Sequence, residues 1–181
     1  MLPLTSSQFR TPILVVDDTK FSNALVTKTL LNAGFVNIEK SSSAMEALNL
    51  LEKMIIPIVI VDWVMPTMNG LEFTQYIRQM DQHQQRYTYI ILLTAKDSGQ
   101  SLYEAFAAGV DDFVHKADMS LQLAPRIYAA FRTSHLFNEI SSNYHQAVTK
   151  YSTLQSQAVI DCKTGVGNMN YLKFSLESIL K

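Results

Sequence analysis

Three short runs of branched apolar residues each end in a residue that can do chemistry. Ile13-Leu-Val-Val16 runs into Asp17-Asp18, Ile58-Val-Ile-Val61 into Asp62, and Ile90-Ile-Leu-Leu93 into Thr94. Such runs, bounded by turn signals, read as strands buried on both faces of a parallel sheet. Open parallel sheets bind ligands beyond the carboxyl ends of their strands. If these strands are neighbours, three carboxylates and a hydroxyl converge on one edge. Ionised aspartates are acceptor-only oxygen ligands, and packed together they repel unless a cation sits among them. Mg2+ suits the set, because it favours oxygen ligands and leaves positions open for waters and phosphate oxygens. Asp62 can then act as a nucleophile toward a phosphoryl group. The charge on the phosphoryl oxygens has to be met, and Lys116 offers a cation and Thr94 a hydroxyl donor. A lone aspartate after a strand is commonly a turn-former or helix cap. Three strands ending in the same chemistry weigh against that reading.

The elements that must hold these residues follow from periodicity. A first strand covers about 13–17. A helix over about 20–33 carries Phe21, Ala24, Leu25, Leu30 and Leu31 as its apolar positions, and Gly34 stops it. A short strand covers 35–40. Ser43-Ala-Met-Glu46 is a capping box opening a helix that buries Ala47, Leu48, Leu51 and Met54. Pro57 punctuates before the central strand. After Gly70 a helix runs to about Met80, burying Leu71, Phe73 or Thr74, and Ile77; the polar segment 81–87 reads as a loop. Asp97-Ser98-Gly99 leads into a helix with Leu102, Ala105, Phe106 and Ala108, stopped by Gly109, and a last strand covers 110–115. This alternation predicts an α/β fold: a doubly wound, five-stranded parallel sheet with helices on both faces and right-handed crossovers.

Residues 1–10 read as a loose leader. From about Met119 the pattern becomes one long helix, with Pro125 in its first turns, where proline is tolerated. Phe137, Tyr144, Tyr151 and Ala158 recur every seven residues, with Ile140, Ala147 and Leu154 between them. That spacing predicts a two-stranded coiled coil over about three heptads, in a helix about 60 Å long, and hence a homodimer through this stalk. The alternative is that the helix folds back on its own domain.

Bulk composition narrows the function classes. Fifteen basic and sixteen acidic residues among 181 leave a formal charge of −1, so no nucleic-acid or membrane-surface partner is expected. Hydrophobic content of 48% is that of a globular protein. One cysteine, Cys162, rules out an internal disulfide and suits a reducing cytoplasm. The chain shows no signal-peptide pattern and no apolar run near the roughly 20 residues of a membrane span. His83, His115, His135 and His145 lack metal-ligand spacing.

Asp17-Asp18, Asp62 followed by Trp-Val-Met-Pro-Thr-Met-Asn-Gly, Thr94-Ala95 and Lys116 together resemble the receiver domain of bacterial two-component response regulators. The resemblance covers about residues 11–133. It implies a flavodoxin-like receiver fold in which Asp62 accepts a phosphoryl group from a sensor histidine kinase or phosphotransfer protein. It further implies that Asp17, Asp18 and the Val64 carbonyl join Asp62 in holding Mg2+. Thr94 becomes the switch hydroxyl, Lys116 the phosphoryl contact and Phe113 the aromatic switch position. One departure stands out. The family usually has a cis proline after the lysine, and here the residue is Ala117. A non-proline cis bond costs about 2.5–4 kcal/mol. Either the loop bears that cost, or the bond is trans and Lys116 is re-aimed.

Asp161-Cys-Lys-Thr-Gly-Val-Gly-Asn168 is similar to the opening of a GGDEF, diguanylate cyclase-like domain: Asp161, Thr164, Gly165 and Asn168 match, and Lys163 and Met169 do not. The expected organisation is therefore a leader (1–10), a receiver (11–133), a helical stalk (134–160) and a truncated GGDEF-like start (161–181), with no cyclase activity in these residues. The plain alternative is a helix cap at Gly165 followed by a turn and a short helix. Three further readings compete for the whole chain. An aspartate-nucleophile phosphatase of the haloacid dehalogenase type needs a second aspartate two residues after the nucleophile, but Val64 and Thr19 stand at those positions. A dinucleotide-binding domain needs a glycine-rich turn after the first strand, where Asp17-Asp18-Thr19 stands. A receiver-like module that only mediates assembly would have no use for the complete acidic set.

Overall fold

A computed structural model describes residues 8–95, 99–157, 160, 161, 164–169, 171, 172 and 176. Asp97, Ser98, Ala158, Cys162 and Lys163, used in the expectations above, lie outside the described residues. Five strands form one all-parallel sheet in the order β2-β1-β3-β4-β5: β1 Ile13–Val16, β2 Ile38–Ser41, β3 Ile58–Asp62, β4 Tyr89–Thr94 and β5 Asp112–His115. The helices are α1 Lys20–Asn32, α2 Ala44–Lys53, α3 Gly70–Gln84, α4 Gly99–Ala107 and α5 Met119–Gln157.

The three central strands are buried along their whole length, which is why they read as unbroken apolar runs. Their side chains alternate between two cores. Ile13, Val15, Ile58, Ile60, Ile91 and Leu93 pack with α1 and α5 through Val26, Leu30, Leu123, Ile127 and Phe131. Leu14, Val16, Val59, Val61, Ile90 and Leu92 pack with α2, α3 and α4 through Ala47, Leu51, Phe73, Ile77 and Ala105. Each such fully buried aliphatic side chain contributes about 1.5–3 kcal/mol relative to exposure.

Several local expectations are corrected. The buried stripe of α1 is Asn23, Val26 and Leu30, while Phe21, Leu25 and Leu31 are exposed. Hydropathy alone misses this because a polar residue, Asn23, occupies the stripe. β2 starts at Ile38, since Phe35 turns into the core against Phe131, Tyr128 and Phe9. Phe9 also accepts a backbone bond from Val36, so this part of the expected leader is docked rather than loose, while residues 1–7 lie outside the described residues. Ser43 caps α2, but the Glu46 carboxylate reaches Ser41 and Ser42 instead of closing the box on Ser43. A full capping box stands at Asn69 and Glu72 instead. Met54, expected in the buried stripe of α2, is exposed. Pro125 lies in the second turn of α5, four residues past the exposed Leu121, whose carbonyl therefore has no N–H one turn on to accept from.

The segment expected to be a polar loop is exposed at 82–85, but Asp81, Arg86 and Tyr87 at its ends turn inward as part of a polar hub. α3 continues to Gln84, and the nearly buried Asp81 accepts from Arg78 Nη1 (3.0 Å), Arg86 Nε (3.3 Å), and both Thr88 N and Thr88 Oγ1 (2.8 Å each). Arg78 also reaches Asp111 (2.7 Å) and the Gly109 and Thr88 carbonyls. The Tyr87 hydroxyl donates to Asp111. Beside this hub, Asn138 of α5 accepts from Tyr87 N (2.9 Å) and donates to Tyr87 O (3.2 Å), and Phe137 stacks on the Tyr87 ring at 4.6 Å. The chain divides into compact units Met1–Asn138 and Glu139–Lys181. These Tyr87 contacts explain why the first unit runs past residue 133. Along the later part of α5, Ile140, Tyr144, Val148, Tyr151 and Leu154 are exposed. No helix among the described residues is long and apolar enough to cross a membrane.

Candidate functional site

The strand order reverses direction between β1 and β3: from β1 the chain steps outward to β2, then back across to β3. A crevice opens at the carboxyl ends of such a pair. Register sets Val16 beside Val61, so Asp17 and Asp62 follow as neighbours. Carboxylate oxygens of Asp17, Asp18 and Asp62 lie within 4.8 Å of one another. Asp17 and Asp62 are buried and Asp18 is exposed. Thr94, wholly buried, ends β4, and Lys116 follows β5 at once. Its ammonium stands 2.7 Å from Asp62 Oδ2 and 3.4 Å from Asp17 Oδ2.

No described peptide bond is cis, and Lys116–Asp118 forms a turn of 3-10 helix. Of the two alternatives for Ala117 the trans bond holds, yet Lys116 still reaches the acidic cluster. Phe113 is half-buried, edge-on to Phe106 (6.0 Å) and to His115 (5.9 Å). His115, for which the sequence suggested no role, thus packs on the ring expected to switch. Val64 is exposed, and its N–H donates to the Asp62 carboxylate.

The loop after Asp62 is held tightly. Trp63 N donates to Leu93 O (2.9 Å), Gly70 N donates to Trp63 O (2.9 Å), and Thr67 has φ +72°. A Cβ on Gly70 would stand 2.5 Å from the Asp62 carbonyl oxygen and 2.8 Å from Leu92 Cδ1, so only glycine fits beneath the carboxylate's own backbone.

Charge is unevenly shared across the cluster. Burial pushes the Asp62 carboxyl above its ordinary value, and the Asp17 charge adds to this; the hydrogen bond and charge of Lys116 do not outweigh them. Burial acts the same way on Asp17, but hydrogen bonds from Ser22 and Thr19 bring it below the ordinary range. Burial lowers the Lys116 ammonium's affinity for its proton, and the Asp62 contact more than restores it. Thr19 N (2.9 Å), Thr19 Oγ1 (2.7 Å) and Ser22 Oγ all donate to Asp17. Neither residue stood out in the sequence; the available signal was a pair of hydroxyls two and five positions after the aspartate, at a helix start. Two buried carboxylates and one exposed carboxylate, within a few ångströms and with the Lys116 ammonium among them, have the donor chemistry that a hard divalent cation needs.

Comparison with known proteins agrees with this geometry. The response regulator receiver domain model matches residues 13–127. The transcriptional regulatory protein YvrH of Bacillus subtilis is 32% identical over 131 residues, covering 72% of this chain and 53% of that protein. The chain therefore spans about half the length of that relative. The crystal structure of the receiver domain of the Arabidopsis thaliana histidine kinase CKI1 complexed with Mg2+ superposes with a TM-score of 0.59 at 28% identity, covering 67% of this chain and 94% of that one. A probable two-component system response regulator/GGDEF domain protein shares the fold at 23% identity, with a TM-score of 0.63, covering 71% of this chain and 52% of that one. By its sheet order, its acidic edge and the family model, the chain belongs to the response regulator receiver domain family.

Proposed function

We propose that the first unit accepts a phosphoryl group on Asp62 from the phosphohistidine of a sensor histidine kinase or phosphotransfer protein. The observation that carries this is the Lys116 ammonium 2.7 Å from Asp62, inside the acidic trio. Asp17, Asp18 and Asp62, with the Val64 carbonyl, would hold Mg2+, which when bound neutralises negative charge at the phosphoryl oxygens. Asp62 supplies the attacking oxygen, Lys116 pairs with a phosphoryl oxygen, and Thr94 is the hydroxyl that follows the new charge inward. Phe113 then responds to the space Thr94 vacates, which biases the domain between two states. Intact-mass measurement after incubation with a small acyl phosphate and Mg2+ tests the reading. Wild type should gain one phosphoryl group and Asp62→Ala none; an unlabelled wild type would leave an assembly-only module.

The output reading rests on the second unit. Asp161 Oδ1 accepts from Thr164 N (2.8 Å) and Thr164 Oγ1 (2.7 Å), Gly165 takes φ +68°, and Asn168 accepts from Tyr171 N (3.1 Å). The four residues that match the GGDEF opening are thus those that build a tight turn and the next helix start. That favours a GGDEF-like element beginning at 161, fed by a stalk over 134–160 that pairs with a second copy through Ile140, Tyr144, Tyr151 and Leu154. The charge balance and the single cysteine suit a cytoplasmic protein. Sedimentation equilibrium on the full chain reads the pairing: a monomer at high concentration, phosphorylated or not, removes the dimer.

A further inference from the structure

We propose that Ser22 is a positioning residue for the metal-binding carboxylate of Asp17, an inference that rests on the cation site proposed above. An ionised carboxylate offers about four acceptor sites, two on each oxygen. At Asp17 all are engaged. Oδ1 takes Thr19 N (2.9 Å) and Thr19 Oγ1 (2.7 Å), and Oδ2 takes Ser22 Oγ and Lys116 Nζ (3.4 Å). A divalent ion that binds Asp17 directly competes with these donors. The Lys116 contact is the longest of the four, and Lys116 already has Asp62 at 2.7 Å to retire to. Ser22 sits at the third position of α1, so its hydroxyl is delivered by a helix rather than by a mobile loop.

Two consequences follow from Ser22. It fixes the carboxylate torsion, so the ion does not have to freeze it. It also occupies one side of Oδ2 and so limits how closely Lys116 can pair there. Without the hydroxyl, Lys116 closes on Asp17, and the ion meets a stronger internal ion pair. Loss of a residue that orients a metal ligand typically weakens metal binding by about 10–100-fold.

The test is isothermal titration of the full chain with MgCl2, with far-ultraviolet circular dichroism to check folding. Wild type is expected to bind, Ser22→Ala to bind about 10-fold more weakly, and Ser22→Thr, which returns a hydroxyl to the same carbon, to recover most of the loss. A folded Ser22→Ala protein with wild-type or tighter affinity overturns the role of Ser22 while leaving the cation site standing. Failure of Ser22→Thr to rescue also overturns it, since a merely structural loss is not repaired by the hydroxyl. A wild type that takes no Mg2+ at millimolar concentration overturns the site itself.

Discussion

Replacing Asp81 with alanine should be among the most costly single changes in the first unit, although Asp81 is far in sequence from every proposed site residue. Its carboxylate accepts from four donors, two of them on Thr88, which is buried. The arginines are not fully stranded: Arg78 keeps Asp111 at 2.7 Å and the Gly109 carbonyl at 2.9 Å, and Arg86 keeps the Leu51 carbonyl at 3.0 Å. Thr88 N–H and its hydroxyl lose their acceptor inside the protein, at about 1–3 kcal/mol each. Adding the partly unpaired cations gives about 3–5 kcal/mol, the range for breaking a buried pair. Urea unfolding followed by emission of Trp63, the sole tryptophan and itself buried, reads this directly. With a denaturant slope of about 1–3 kcal/mol per molar, the midpoint should fall by about 2 M. Asp81→Asn, which keeps one acceptor oxygen, should lose about half as much. In a Thr88→Val background the effect of Asp81→Ala should shrink, because one of the orphaned donors is gone. A loss below about 1 kcal/mol in the single mutant would show that the hub is solvated and the reasoning wrong.

Other outcomes can be stated briefly. Mg2+ at 100 times its dissociation constant should stabilise the folded chain by about 2.7 kcal/mol, seen as a raised melting temperature that Asp62→Asn abolishes. Gly70→Ala should cost about 1–3 kcal/mol by overpacking and weaken Mg2+ binding, because the Asp62 backbone cannot move away from a Cβ 2.5 Å from its carbonyl; an unchanged melting temperature refutes this. Burial, with the nearby Asp112 and Asp111 charges, holds the Tyr89 phenol up to about 12. Its contribution to stability is therefore complete below pH about 10, the unfolded value, and is lost as pH rises through 12. Tyr89→Phe should flatten the alkaline limb of the stability curve; an identical limb would show that Tyr89 does not govern it.

What the sequence disclosed and what it concealed divide along physical lines. β1, β3 and β4 were legible because they are buried on both faces, so four or five apolar residues stand in a row. Asp17, Asp62, Thr94 and Lys116 were legible as a set because parallel strands deliver their last residues to one edge. β2, whose pattern is half-exposed, starts three residues later than its hydropathy suggests. The stripe of α1 was hidden because Asn23 is buried for its hydrogen bonds to the Asp17 and Ser41 carbonyls and not for its hydropathy. The hub at Asp81 was invisible for the same reason. Its residues are those of a surface loop, and only long-range pairing to Asp111 and Leu51 makes them interior.

The ring of Phe137 opens the seven-residue ladder of α5, and it already lies flat on Tyr87 within its own subunit. Two copies zipping together along that ladder would find their first vacant rung at Ile140, nearly a turn farther on. Phe137 is still 54% exposed, so a grip taken nearer the receiver would have to share that ring with Tyr87, whose stacking sets the ring's angle.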